Sequence, residues 1–209
     1  MAAESATGTD GGAVPAEVVG RRMADLVPLA GGSRELDPVR GLGSVLRGCV
    51  PLPDRAVVAV GDDVATRPPA DLPRGIRGCL FQPDDLAGIE HVLRQRGTVV
   101  AVATAKALDQ LPDGHDGTLE RIPYLAIDEL DGGPYGVVAD RMLGVLGGFR
   151  DCGRWHLDWS RVYVRATTAG LAVTLLAQRS PRLVDVLVAG GVAGAVAPCA
   201  RHGSPVLVT

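Results

Sequence analysis

Three stretches of the 209-residue chain carry side chains suited to holding an anion, each directly after an apolar run. Arg165-Ala166-Thr167-Thr168 follows the run Val162–Arg165. A guanidinium beside two hydroxyls suits a phosphate. Gly190-Gly191 follows Leu183–Val188 and opens a helix-length segment. Paired glycines let backbone amides approach an anion, and a helix start adds partial positive charge. Thr104 and Lys106 follow Thr98–Ala103, and Lys106 is the only lysine. It suits phosphate binding or Schiff-base chemistry. Each stretch also has a plain structural role. Thr167 can cap a helix, a glycine pair can make a tight turn, and a lysine at a strand end can simply face solvent.

Other candidate groups point elsewhere. Asp62-Asp63 could hold magnesium or form a turn, and Asp84-Asp85 could cap a helix. The cysteines are Cys49, Cys79, Cys152 and Cys199; no two form a CxxC pair. The histidines, His91, His115, His156 and His202, do not complete a zinc pattern in this reading. Free thiols in a reducing cytoplasm are expected, with neither metal nor cofactor. His156, between Trp155 and Asp158, is the most interesting histidine. No GxSxG, HExxH or Cys–His catalytic signature is present.

These groups need a scaffold. Strands are expected at Arg55–Val60, Ile76–Phe81, Thr98–Ala103, Tyr135–Ala139, Val162–Arg165, Leu183–Val188 and Val206–Val208, with Trp155–Leu157 a strand or a loop. Helices are expected at Pro38–Arg47, Pro83–Arg96, Thr167–Arg179 and Gly191–His202, with a single turn at Lys106–Leu111. Leu119–Leu130 and Met142–Phe149 also read as helices, although Pro123 and several glycines interrupt them. The strands are apolar at consecutive positions, as in parallel sheets covered on both faces. The fold class is therefore α/β, built of parallel βα units as a small or incomplete TIM-like barrel, or as an open doubly wound sheet. Residues 1–15 read as a disordered tail, 16–52 as a helical appendage and 53–209 as the α/β domain.

Composition narrows the function. Apolar residues make up 46% of the chain and aromatics 3%, so Val, Leu, Ala and Ile must build the core and few rings are free to stack on bases. A net charge of −3 excludes a chain-wide basic footprint for nucleic acid. No signal peptide or membrane-spanning run is seen, and a cytoplasmic location with no membrane partner is expected.

Read from Pro53 onward, the order of segments RAVVAVGDD, IRGCLFQPDDLAGIEHVLRQRGTVVAVATA, GVVADR, SRVYVRATTAGLAVTLLAQRSPRLVDVLVAGG and SPVLVT resembles the glycerol-3-phosphate-responsive antiterminator family. The resemblance implies a small phosphate-binding barrel in glycerol metabolism. It would recognise glycerol 3-phosphate and an mRNA leader and regulate transcription by antitermination. Arg161, Asp185 and Gly190 match the family's pattern, and Arg141 fits its polar turn. Thr104 or Lys106 stands where the family carries an acidic residue, and Arg165 or Ala166 replaces another. The implied site comprises Thr104, Lys106, Arg141, Arg161, Arg165, Asp185, Gly190 and Gly191 around a small anionic ligand. Two further readings stand beside it. One is an enzyme acting on a small phosphorylated or carboxylated metabolite, with Lys106, Asp62 or Asp185 as acid or base. The other is a non-catalytic interaction protein pairing through open strand edges at Arg55–Val60 and Val206–Val208, with a homo-oligomer as one outcome.

Overall fold

The computed structural model describes residues 37–50, 52–82, 84–111, 118–132, 135–141, 143–176, 185–188 and 191–208. The expected tail at 1–15, the segment 16–36 and Gly190 lie outside these residues.

Helix α1 (Leu42–Cys49) precedes strands β1 (Val57–Gly61) and β2 (Arg77–Phe81). Helix α2 (Leu86–Arg96), strand β3 (Thr98–Ala103) and the short helix α3 (Ala105–Leu108) follow. Then come β4 (Thr118–Ala126), a 3-10 segment (Ile127–Gly132) and β5 (Val137–Asp140). The remainder is β structure: β6 (Gly144–Arg150), β7 (Arg154–Leu157), β8 (Val162–Thr167), β9 (Gly170–Leu175), β10 (Val186–Leu187), β11 (Ala195–Pro198) and β12 (Pro205–Val208).

Nine strands form one sheet in the order β11-β12-β7-β6-β5-β4-β3-β1-β2. Its β2-β1-β3-β4-β5 half is parallel throughout. From β5 onward every pairing is antiparallel. A second sheet of three strands, β10-β9-β8, is antiparallel. The fold is therefore mixed α/β, and among the described residues its large sheet ends at β11 and β2 without closing into a barrel.

The two faces of the parallel half follow the period-two alternation of strand side chains. Val58, Val60, Val100 and Val102 pack with Val45 and Leu46 of α1. Val57, Ala59, Val99 and Ala101 pack with Ile89 and Leu93 of α2 and Leu108 of α3. Helices on both faces explain the consecutive apolar residues. The antiparallel half instead buries Leu146, Trp155, Leu157 and Leu207 against Val164, Leu171 and Val173 of the small sheet.

The local signals for α2 hold. Asp85 accepts a hydrogen bond from the Gly88 amide as N-cap, and Gly97 ends the helix at φ +77°. Four expected helices are not helices. Leu119–Leu130 is mostly β4, and Met142–Phe149 is largely β6. Glycines in β6 are places of close approach, not helix weaknesses. A Cβ on Gly148 would sit 2.5 Å from Cys49 Sγ and 2.8 Å from Val45 Cγ1, so α1 can press on the strand only there. The described part of Thr167–Arg179 is a hairpin. Thr167 Oγ1 donates to Gly170 O and accepts from the Ala169 amide, capping a turn in place of the expected helix. The segment Gly191–His202 contains β11 and the turn after it.

The two strands expected to be open edges are interior. β1 lies between β2 and β3, and β12 lies between β7 and β11. No helix among the described residues is long and apolar enough to cross a membrane.

Candidate metal centre

Pairing of β7 with β12 sets Val206 opposite His156 and Leu207 opposite Trp155. That register brings two hairpin turns together. The β6–β7 turn carries Cys152, four residues before His156. The β11–β12 turn carries Cys199, three residues before His202. One ligand atom from each of these four side chains lies within 4.8 Å of the other three.

The individual distances resemble the edges of a coordination tetrahedron. Cys152 Sγ and Cys199 Sγ are 3.8 Å apart. Arms of about 2.3 Å give a sulfur–sulfur edge of about 3.8 Å. Cys199 Sγ lies 3.6 Å from His202 Nδ1, where arms of about 2.3 and 2.0 Å give an edge of about 3.5 Å. Cys152 Sγ and His156 Nε2 are closer, at 2.9 Å, and would separate slightly around an ion.

Each imidazole is also held from behind. His156 Nδ1 is 2.8 Å from Ser204 Oγ, and His202 Nε2 is 3.4 Å from Asp151 Oδ1. Arg201 in turn holds Asp151 at 2.8 Å. A ligating histidine characteristically engages a hydroxyl, carbonyl or carboxylate through its second nitrogen, which fixes ring and tautomer. The backbone completes the second turn. The Cys199 amide donates to Ser204 O, the Gly203 amide donates to Cys199 O, and Gly203 sits at φ +67°. A glycine is favoured at that left-handed position.

The protonation states suit a metal. Burial, then the charges of Arg150 and His202, lower the His156 imidazole to about 4, so it is neutral near pH 7. Burial acts to raise the Cys199 thiol. Backbone amides of His202 and Arg201, the His202 ring and Cys152 outweigh it and bring the thiol down to about 7. Burial keeps the Cys152 thiol above its ordinary value. A divalent ion would be needed to deprotonate it fully. Two thiolates and two neutral imidazoles then cancel the charge of a divalent cation. Nitrogen and sulfur ligands in a tetrahedron select zinc over magnesium or calcium. His156 and Cys199 are buried, with relative exposures of 2% and 3%, while His202 lies at the surface.

The expectation that the histidines lack partners is thus corrected for His156 and His202, while all four thiols are free, as expected. The signal in the sequence is a Cys-x3-His pair running from a turn into β7 and a Cys-x2-His pair on the β11–β12 turn, neither of which is a CxxC pair. Cys49 and Cys79 lie apart from this cluster, and burial raises both thiols.

The candidate anion residues fall in several places. Thr104 follows β3 as the N-cap of α3, where its hydroxyl donates to Asp63 Oδ2 at 2.5 Å, joining the loops after β3 and β1. Lys106 is exposed on α3. Arg165 and Asp185 come together in the small sheet, with Nε–Oδ1 at 2.8 Å and Nη2–Oδ2 at 2.7 Å. Arg161 donates to Val145 O and pairs with Asp158 at 3.4 Å. Arg141 follows β5, and Gly191 packs against Gly170. Asp85 caps α2, and His91 lies 2.8 Å from Gln95 on that helix. No family model, curated protein or solved structure matches this chain.

Proposed function

We propose that this chain is a zinc-binding protein whose Cys152–His156–Cys199–His202 centre clamps the β6–β7 hairpin to the β11–β12 hairpin. The observation that carries this reading is the convergence of four ligand atoms from two distant turns, with a polar partner behind each imidazole. Four protein ligands fill a tetrahedron, so the centre is structural and leaves no coordination position for water or substrate. A reducing, cytoplasmic setting would keep both thiols available. Elemental analysis after reconstitution and desalting tests the reading. One tightly held zinc per chain is expected, and a chain that retains none overturns it.

A second reading has its own observation. The order β2-β1-β3-β4-β5 reverses direction between β1 and β3, and open parallel sheets bind ligands at such a point, beyond the carboxyl ends of the strands. Asp62, Asp63 and Thr104 stand there. We propose for this crevice a small phosphorylated metabolite, with glycerol 3-phosphate as the candidate implied by the antiterminator resemblance and an mRNA leader as the regulated partner. A phosphate entering it must displace Asp63 from Thr104 and would meet Lys106. Millimolar glycerol 3-phosphate should raise the melting temperature, and Lys106→Ala should remove that rise; no rise in the parent protein would refute this reading.

A further inference from the structure

Beside the metal cluster, on the side facing α1, a pocket of about 130 Å³ opens between that helix and the β6–β7 hairpin. Ser44 and Cys49 line it from α1, Arg150 and His156 from the hairpin, and Trp159 and Ser160 from the turn after β7. Arg150 Nε is buried and has no hydrogen-bond partner among the described residues. A buried guanidinium N–H without a partner is costly, and such a group in a native protein calls for an acceptor. The backbone makes room for this side chain. A Cβ on Gly48 would stand 2.7 Å from Arg150 Nη2, so the glycine leaves the guanidinium free to lie against the end of α1.

The other groups in the pocket complement that donor. Ser44 brings a hydroxyl from α1, whereas the Ser160 hydroxyl is already donated to Asp158. Asp158 is the acidic group in the lining, and Ser160 Oγ and Arg161 already engage its two oxygens, at 2.6 and 3.4 Å. Trp159 is 64% exposed at the rim, leaving indole surface for an apolar body attached to the anion. Covalent continuity links the pocket to the metal cluster. Arg150 precedes Asp151 and Cys152, and Leu157–Ser160 follow His156 directly. A metal that fixes Cys152 and His156 therefore fixes both walls.

We propose that this pocket binds a small oxyanion, a carboxylate or a phosphate group, on the Arg150 guanidinium, and that the neighbouring metal centre holds the pocket in its binding shape. The site itself stands on the cavity and Arg150; the coupling rests on the zinc reading. Inorganic phosphate, acetate and benzoate are the probes, titrated into zinc-loaded protein at constant ionic strength. The Trp159 indole N–H resonance reports binding, and zinc content is measured in the same samples. At least one probe should bind with a Kd of about 1 mM. Benzoate binding more tightly than acetate would assign the rim to an apolar body, and preference for phosphate would assign the phosphate class. Arg150→Gln should weaken binding at least about tenfold, the loss of one charge-assisted contact, with zinc content unchanged. Ser44→Met, which fills the pocket from α1 and leaves Arg150 in place, should weaken it similarly. Metal removal should weaken it as well. No binding by any probe to zinc-loaded protein, or parental affinity in both variants, overturns the site. Parental affinity in the metal-free protein overturns the coupling alone. Absence of zinc after loading refutes the metal reading without touching the titration of the pocket.

Discussion

Cys199→Ser is expected to bring zinc content from one per chain to near zero and to lower the melting temperature by about 8–16 °C. The size follows from linkage. A metal at about a thousand times its Kd stabilises the folded state by about 4 kcal/mol. In a domain of this size each kcal/mol moves the midpoint by about 2–4 °C. Treating the parent protein with a strong chelator should produce the same shift, and the variant should not respond to chelator at all. That second result separates loss of a ligand from loss of packing, because Cys199 is itself buried. Thermal melts with and without chelator, on both proteins, decide the matter. A variant that keeps its zinc, or a parent whose midpoint ignores the chelator, would contradict the assignment.

Gly148→Leu should destabilise the fold by about 3 kcal/mol, with zinc content unchanged. Gly148 pairs with Val137 in the sheet, and its missing side chain is what lets α1 approach. A leucine there meets Cys49 and Val45 and must lift the helix from a core containing Leu42 and Leu46, both fully buried. Overpacking of this kind typically costs about 1–3 kcal/mol, and four added heavy atoms against a helix place it at the upper end. Denaturant titration measures it, and a change below about 0.5 kcal/mol would mean that α1 does not sit where the structure places it.

All of the parallel half except β4, which read as a helix, was legible in the sequence for local reasons. β1 and β3 are runs of valine and alanine bounded by turn residues, and Asp85 and Gly97 mark the ends of α2. In the antiparallel half β12 was read as a strand and β7 as a strand or loop, but β6 and β11 were not legible, because their cues are tertiary. Gly147 and Gly148 lower the apparent strand character of β6, yet they are required by the approach of α1 and β7. Gly170, at φ +123°, turns β8 back on β9 where uninterrupted spacing suggested a helix. Pro123 seemed to interrupt a helix over Leu119–Leu130, but it pairs with Ala103 at the end of the β3–β4 ladder.

The metal cluster failed to show for a related reason. Its two halves are short and ordinary, and the β8–β10 sheet separates them in the chain. Only the β7–β12 pairing joins them, and a long-range register is not written in spacing. His156 drew notice in the sequence beside Trp155, but its partners proved to be Cys152 and Ser204. Arg165 and Asp185, singled out as ligand-binding residues, engage each other in the small sheet, a pairing that twenty residues of intervening chain do not reveal.

The most direct measurement is zinc-edge X-ray absorption on the loaded protein. The expected result is one shell of two sulfurs at about 2.3 Å and one of two nitrogens at about 2.0 Å, with imidazole outer-shell scattering. Replacing Cys152 or Cys199 by serine should remove sulfur from that shell in whatever zinc remains. A shell made only of oxygen and nitrogen, at the distances of a hydrated surface ion, would contradict the account.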